Sequence, residues 1–169
     1  MTKNLADANE IPRLPKSGVI VANRELCLTC RECEVACSLY HEDECNPSLS
    51  RIGIEFDDFA PGLPAIVVCK QCDWPGCVYA CAARWEDPAI LIDARTGARY
   101  VDAEKCRGCA DCVRACPLMP ERPVIGFKRV GRKRIYFQCD LCYDRPEGPL
   151  CVEICPGEAL EYVSAKERR

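Results

Sequence analysis

Four groups of four cysteines hold the chemistry available to this chain. They are Cys27, Cys30, Cys33 and Cys37; Cys69, Cys72, Cys77 and Cys81; Cys106, Cys109, Cys112 and Cys116; and Cys139, Cys142, Cys151 and Cys155. Each group opens with C-x2-C and closes with C-x3-C, and the starts lie 42, 37 and 33 residues apart. They form an irregular internal repeat. Thiolates prefer soft metals, and four at tetrahedral corners suit an iron–sulfur cubane. Two-residue gaps let the backbone loop around three corners with its amides turned toward the sulfurs. The x3 step puts the last cysteine one helical turn on. Its thiol is then free to serve the cluster of another group. The expected cofactor is four [4Fe–4S] clusters. Structural zinc uses paired knuckles or adds histidine, and His41 is the only histidine. A zinc-stapled interaction module is therefore the weaker reading, and a disulfide scaffold weaker still.

Composition narrows the setting. Cysteine supplies 17 of 169 residues. Residues 1–10 (MTKNLADANE) lack a basic segment followed by an apolar run, and no apolar stretch would span a bilayer. These features predict a cytoplasmic protein without a membrane span, in a reducing compartment where clustered thiols favour metal. The formal charge is −3 with neutral thiols. Four oxidised cubanes at about −2 each would move it to roughly −11, so the Lys and Arg residues near the motifs act as partial compensation. Aromatics are only 7%. The conventional core is expected to be thin, with metal supplying much of the folding free energy. No Ser/His/Asp arrangement, phosphate loop or nucleotide fingerprint is present, so the chain is expected to be no enzyme by itself.

The elements between the groups read as short strands and loops. Gly18–Ala22 is β-prone, and 51–56 (RIGIEF) alternates as a half-buried strand does. Residues 89–92 and 98–101 flank a turn at Thr96-Gly97. Residues 124–127 and 134–137 flank a basic turn containing Gly131, and 158–163 is a return strand. Helices should be short and begin near the third cysteine of each group. Pro12, Pro15 and Gly18 keep the first 18 residues extended.

The third group, CRGCADCVRACP, matches the bacterial ferredoxin run in full, and the first matches up to its last cysteine. The second widens the middle gap to four residues (Cys72-Asp-Trp-Pro-Gly-Cys77) and the fourth to eight, ending in Gly148-Pro-Leu-Cys-Val-Glu-Ile-Cys-Pro156. Over roughly residues 18–165 the chain resembles the four-cluster, polyferredoxin-like electron-transfer subunits of molybdenum and tungsten oxidoreductases. The stretch CRECEVACSLYHEDECNPSLSRI looks most like the small subunits that accompany tungsten aldehyde oxidoreductases.

The resemblance implies an α+β fold of two pseudo-symmetric ferredoxin-like dicluster modules with short helices and β-hairpins. Residues 1–18 would be a lead-in, 19–68 and 117–165 the first module, 69–116 an inserted second module and 166–169 a tail. It also implies the ligand sets. Cluster one takes Cys27, Cys30, Cys33 and Cys155; cluster two Cys69, Cys72, Cys77 and Cys116. Cluster three takes Cys106, Cys109, Cys112 and Cys81; cluster four Cys139, Cys142, Cys151 and Cys37. The implied partners are a tungsten- or molybdenum-pterin catalytic subunit and a flavoprotein or ferredoxin, with filamentous assembly a further expectation. A free polyferredoxin shuttle is the alternative. Cys37 and Cys81 lack the following proline common in the family, which touches the local cover of two clusters and not their ligation.

Other residues carry weaker signals. Cys45 belongs to no group and reads as a free, partly buried thiol, with a redox or intermolecular role as the alternative. His41, one turn after Cys37, reads as solvent-facing or locally hydrogen-bonded, with cluster tuning second. Trp74 and Trp85 read as cluster covers, with interface anchoring as the alternative. Arg31, Lys70, Lys105 and Arg107 flank the cysteines, where positive charge would favour a reduced cluster, and they read equally as solvated surface charge. The run Lys128-Arg-Val-Gly-Arg-Lys-Arg134 reads as a solvated hairpin tip, with an acidic partner as the alternative. No nucleic-acid motif accompanies it.

Overall fold

Apolar runs of three to six residues separated by the cysteine loops leave room only for short strands. In the computed structural model, which describes residues 14–56 and 62–168, they form four separate antiparallel pairs. β1 (Val19–Ala22) pairs with β8 (Leu160–Val163), and β2 (Ile52–Phe56) with β3 (Pro64–Val68). β4 (Ile90–Ile92) pairs with β5 (Arg99–Val101), and β6 (Ile125–Val130) with β7 (Lys133–Gln138). The lead-in before Leu14, with Pro12, and the final Arg169 lie outside the described residues.

Among the described residues four α-helices, α1 (Glu32–Glu42), α2 (Gly76–Arg84), α3 (Asp111–Ala115) and α4 (Leu150–Glu153), and two short 3-10 turns, Arg24–Leu26 and Pro47–Leu49, join the strands. Each α-helix starts one residue before the third cysteine of its group. α1 packs on α4 and α2 on α3. The second contact is close, because a Cβ on Gly76 would lie 2.5 Å from the Ala115 carbonyl oxygen.

Three elements differ from expectation. β3 is an additional strand; its apolar run 64–68 does not alternate, because three of its five residues are buried. α1 runs eleven residues, past Cys37 to Glu42, where Glu42 pairs with Arg51 and Lys128 and anchors the last turn. The basic hairpin has only a two-residue tip, Gly131-Arg132, so most of its charges stand on the strands.

A lone two-stranded hairpin is marginal in water. Here all four lean on one shared core. Ile20, Val68, Ala98 and Ala159 are among its most buried apolar residues. Seven cysteines belong to the same buried cluster. The thiols are thus part of the packing as well as of the chemistry.

Candidate metal centres

Each C-x2-C loop turns the same way. The residue two places after the first cysteine is left-handed in all four groups: Thr29 (φ 55), Gln71 (φ 47), Gly108 (φ 72) and Leu141 (φ 62). Only one of the four is glycine, so three L-residues hold a conformation that costs about 1–2 kcal/mol. Left-handed turns of this kind aim successive amides into one concavity, the nest that suits anions and iron–sulfur cores. Four amides point at cysteine sulfurs: Arg51 N–H at Cys37 Sγ (3.2 Å), Gln71 N–H at Cys69 Sγ (3.5 Å), Tyr136 N–H at Cys106 Sγ (3.5 Å) and Ala159 N–H at Cys155 Sγ (3.3 Å). Helix entry separates the groups into two kinds. The tight first and third groups enter α1 and α3 through left-handed Arg31 and Ala110; the wide second and fourth enter α2 and α4 through extended Pro75 and Pro149.

The sixteen cysteines line four cavities. One is bounded by Cys27, Cys30, Cys33 and Cys155, with Pro156 over it. A second holds Cys69, Cys72, Cys77 and Cys116, with Pro117. A third holds Cys81, Cys106, Cys109 and Cys112 under Trp85. The last holds Cys37, Cys139, Cys142 and Cys151, with His41 and Arg51 beside them. Every cavity joins three cysteines of one group to the final cysteine of another. A larger cleft of about 880 Å³ between β2 and β6 contains no cysteine.

Contacts between groups place the cavities in a row. α1 against α4 joins the first to the fourth, and α2 against α3 joins the second to the third. The fourth and second meet where Gln71 Nε2–H donates to the Cys139 carbonyl at 2.6 Å. The order is one, four, two, three.

The donor set fits iron–sulfur clusters. Burial pushes the thiols of Cys33, Cys69 and Cys112 up to about 12 and those of Cys77 and Cys142 up to about 11. Charge on neighbouring thiols adds to this: Cys116 raises Cys77, and Cys37 raises Cys151. Such groups stay protonated at neutral pH until a metal replaces the proton. The second cavity adds a further sign. Gln138 Nε2 and Arg99 Nε are buried in residues that line it, and neither meets an acceptor among the described residues. Buried donors are almost always satisfied, so both fit an acceptor that belongs in the cavity.

The family assignment rests on this arrangement together with comparison to known proteins. Residues 64–165 match the family model described as the 4Fe-4S dicluster domain. The chain belongs to that family. This dicluster protein is 41% identical over 154 residues to the aliphatic sulfonate oxidoreductase, polyferredoxin-like subunit, of Pyrococcus furiosus, covering 88% of this chain and 79% of that protein. It is 33% identical over 175 residues to electron transport protein HydN of Escherichia coli K12, covering 89% and 94%. The BamBC complex of benzoyl coenzyme A reductase is a solved structure similar in part, at 23% identity and a TM-score of 0.46, covering 86% of this chain and 78% of that one. The dicluster protein is an iron–sulfur electron-transport subunit of oxidoreductases that holds [4Fe–4S] clusters and is not itself catalytic. Among the described residues, no helix is long and apolar enough to cross a membrane.

Several side chains of the dicluster protein sit differently from the sequence reading. His41 does not face solvent. Its side chain is 8% exposed, with Nε2 3.5 Å from Asp140 and 3.8 Å from Cys142 Sγ. Burial holds its pKa below the ordinary value, against the pull of Asp140. Although His41, Asp140 and Cys142 gather three ligand-type atoms, Cys142 also lines the fourth cavity, so the trio belongs to that site. Cys45 is exposed, because it lies beyond the end of α1. Trp74 is 58% exposed and lines none of the four cysteine cavities, whereas Trp85 lines the third and lies beneath Arg107 (4.5 Å to the ring centre). Arg51, read from the sequence only as the start of a half-buried strand, belongs to the surroundings of the fourth cavity. It pairs with Asp140 at 2.5 Å and Glu42 at 3.7 Å while its backbone N–H serves Cys37.

Proposed function

We propose that the chain relays single electrons through four [4Fe–4S] clusters between a tungsten- or molybdenum-pterin catalytic subunit and another redox partner. The carrying observation is the division of sixteen cysteines among four cavities, four thiols to each. The ligand sets follow: Cys27, Cys30, Cys33 and Cys155; Cys69, Cys72, Cys77 and Cys116; Cys81, Cys106, Cys109 and Cys112; Cys37, Cys139, Cys142 and Cys151. Two ferredoxin-like modules follow as well, 69–116 lying within 19–68 and 117–165. The β1–β8 pair and the α1–α4 contact support the outer module, and the α2–α3 contact the inner one.

A bound cubane takes up and releases one electron. The chain does the rest. Its thiols hold iron, its inward amides favour the more negative reduced state, and its buried apolar residues keep water away. The row of cavities supports passage from one end to the other.

On the sequence resemblance the catalytic partner acts on an aldehyde, and the site of action is the cytoplasm. Similarity to the polyferredoxin-like subunit of an aliphatic sulfonate oxidoreductase supports a second substrate class, aliphatic sulfonates. A flavoprotein or ferredoxin fits the other end, and a row with two ends also fits end-to-end assembly of complexes.

Anaerobic purification with untagged gene neighbours tests the reading. Roughly sixteen iron atoms per chain, absorbance near 400 nm, EPR signals after dithionite and a co-purifying subunit containing tungsten or molybdenum are expected. A colourless zinc protein would sink the proposal, and a fully loaded monomer that ignores its neighbours would favour the free shuttle.

A further inference from the structure

We propose that the β6–β7 hairpin is the docking site for a small, acidic, one-electron carrier protein that exchanges electrons at the Cys81, Cys106, Cys109 and Cys112 centre. This rests on the reading that those cysteines hold a cluster.

The charges are the first observation. Residues 124–138 contain five Lys and Arg and no Asp or Glu. Lys128 is paired with Glu42. Arg129, Arg132, Lys133 and Arg134 are exposed, and among the described residues none has a carboxylate within ion-pair distance. Elsewhere Arg51, Arg84, Lys105, Arg114 and Arg145 all have carboxylate partners. The hairpin is thus a patch of uncompensated positive charge on a chain that is acidic overall.

The second observation is what the hairpin is rooted in. Tyr136 N–H points at Cys106 Sγ, and the Arg134 carbonyl sits where a Cβ on Gly108 would lie, 2.7 Å away. Arg107, also exposed, covers Trp85 over the same cavity. The tip is four residues from Tyr136, or about 13 Å along the strand. This cavity stands at one end of the row of four, where a partner must come and go.

The third is the kind of surface. Arg129 and Arg134 lie over the ring of Phe127, which is 42% exposed; Val130 is 59% exposed. Two apolar residues among many charges are too few for a permanent interface, which is larger and more apolar. Charge steering with a small aromatic centre suits a transient complex.

The exchange moves one electron. The carrier is oxidised by one unit and the cysteine-held centre reduced by one, with no proton required. The test uses the full chain, loaded with iron anaerobically, with a reduced acidic [2Fe–2S] ferredoxin as probe. At low ionic strength, R129E/R132E/K133E is expected to slow the second-order reaction at least tenfold relative to wild type. Salt should slow the wild type and speed the variant, whose three reversed charges repel an acidic carrier until they are screened. Calorimetric binding of the same ferredoxin should weaken in parallel, and this reports docking whatever the metal content. Equal rates and binding for the two proteins would overturn the proposal, as would tighter charge-dependent binding to duplex DNA or anionic vesicles than to ferredoxin. Iron analysis separates the two failures. Chains without iron would sink the cluster reading alone, and loaded chains indifferent to charge would sink the docking site alone.

Discussion

Gln71 Nε2 donates to the carbonyl of Cys139 at 2.6 Å, across a separation of 68 residues. The same side chain holds both backbone groups of Arg99, donating to its carbonyl at 3.0 Å and accepting from its N–H at 2.7 Å. Gln71 is 1% exposed. It therefore satisfies three buried backbone groups at the seam between the second and fourth cavities. Gln71→Leu would leave them unpaired, at about 3 kcal/mol in total. The loaded protein is expected to melt roughly 6–12 °C lower in anaerobic calorimetry. An unchanged melting temperature would show that the seam is held elsewhere.

The grouping of cysteines predicts which substitutions act alike. Cys37→Ala and Cys151→Ala should remove the same EPR signal, and Cys33→Ala and Cys155→Ala a different one. Loss of one common signal in Cys33→Ala and Cys37→Ala would contradict the proposed sets.

Gln138 offers a test by potential. Gln138 lines the second cavity, is 2% exposed, and its buried Nε2 has no acceptor among the described residues. A donor there favours added negative charge. Gln138→Leu should lower the potential of the Cys69, Cys72, Cys77 and Cys116 centre by roughly 40–90 mV, equivalent to about 1–2 kcal/mol for one electron. Redox-poised EPR would read it, and the other three centres should stay in place.

Gly108 joins a left-handed φ of 72° to close contact with the Arg134 carbonyl. Gly108→Ala meets both penalties, at about 1–2 kcal/mol for the backbone alone. It should cost iron at the third cavity first, so that iron per chain falls toward roughly three quarters of the wild-type value.

Acid–base behaviour should differ between loaded and metal-free chains. Burial raises the thiols of Cys33, Cys69 and Cys112 to about 12, against about 8.5 in an unfolded chain. The fold binds those protons more tightly than the unfolded chain does. Its stability is therefore full below about pH 8.5 and is lost as pH rises toward 12. Tryptophan fluorescence of the reduced, metal-free chain should report unfolding across that window. The loaded protein, whose thiols have already given up their protons, should lack this alkaline transition.

The sequence made the helix starts legible, because a third cysteine with C-x3-C after it sets both the ligand and the turn that presents it. It also made the β4–β5 and β6–β7 hairpins legible through their turn residues, and β1, β2 and β8 legible as single strands, but not the pairing of β1 with β8 across the length of the chain. β3 was hidden because a strand buried on both sides does not alternate. Gln71 was hidden too. Nothing in Cys-Lys-Gln-Cys separates it from Lys70, and its partner lies in another group. His41 and Arg51 were misjudged or missed for the same reason, since Asp140 gives them their setting from far along the chain. The cavity membership of each last cysteine was available only through family resemblance, as spacing alone leaves its direction open.

The four strand pairs share no edge with one another. In a continuous sheet, an insertion in one strand shifts the register of its neighbours. Here such a change stops at the two strands concerned. The Gly131-Arg132 tip is thus an address label that is open to rewriting. Grafting a different loop at that point offers a route to redirect the chain to a new electron source while its interior wiring stays as it is.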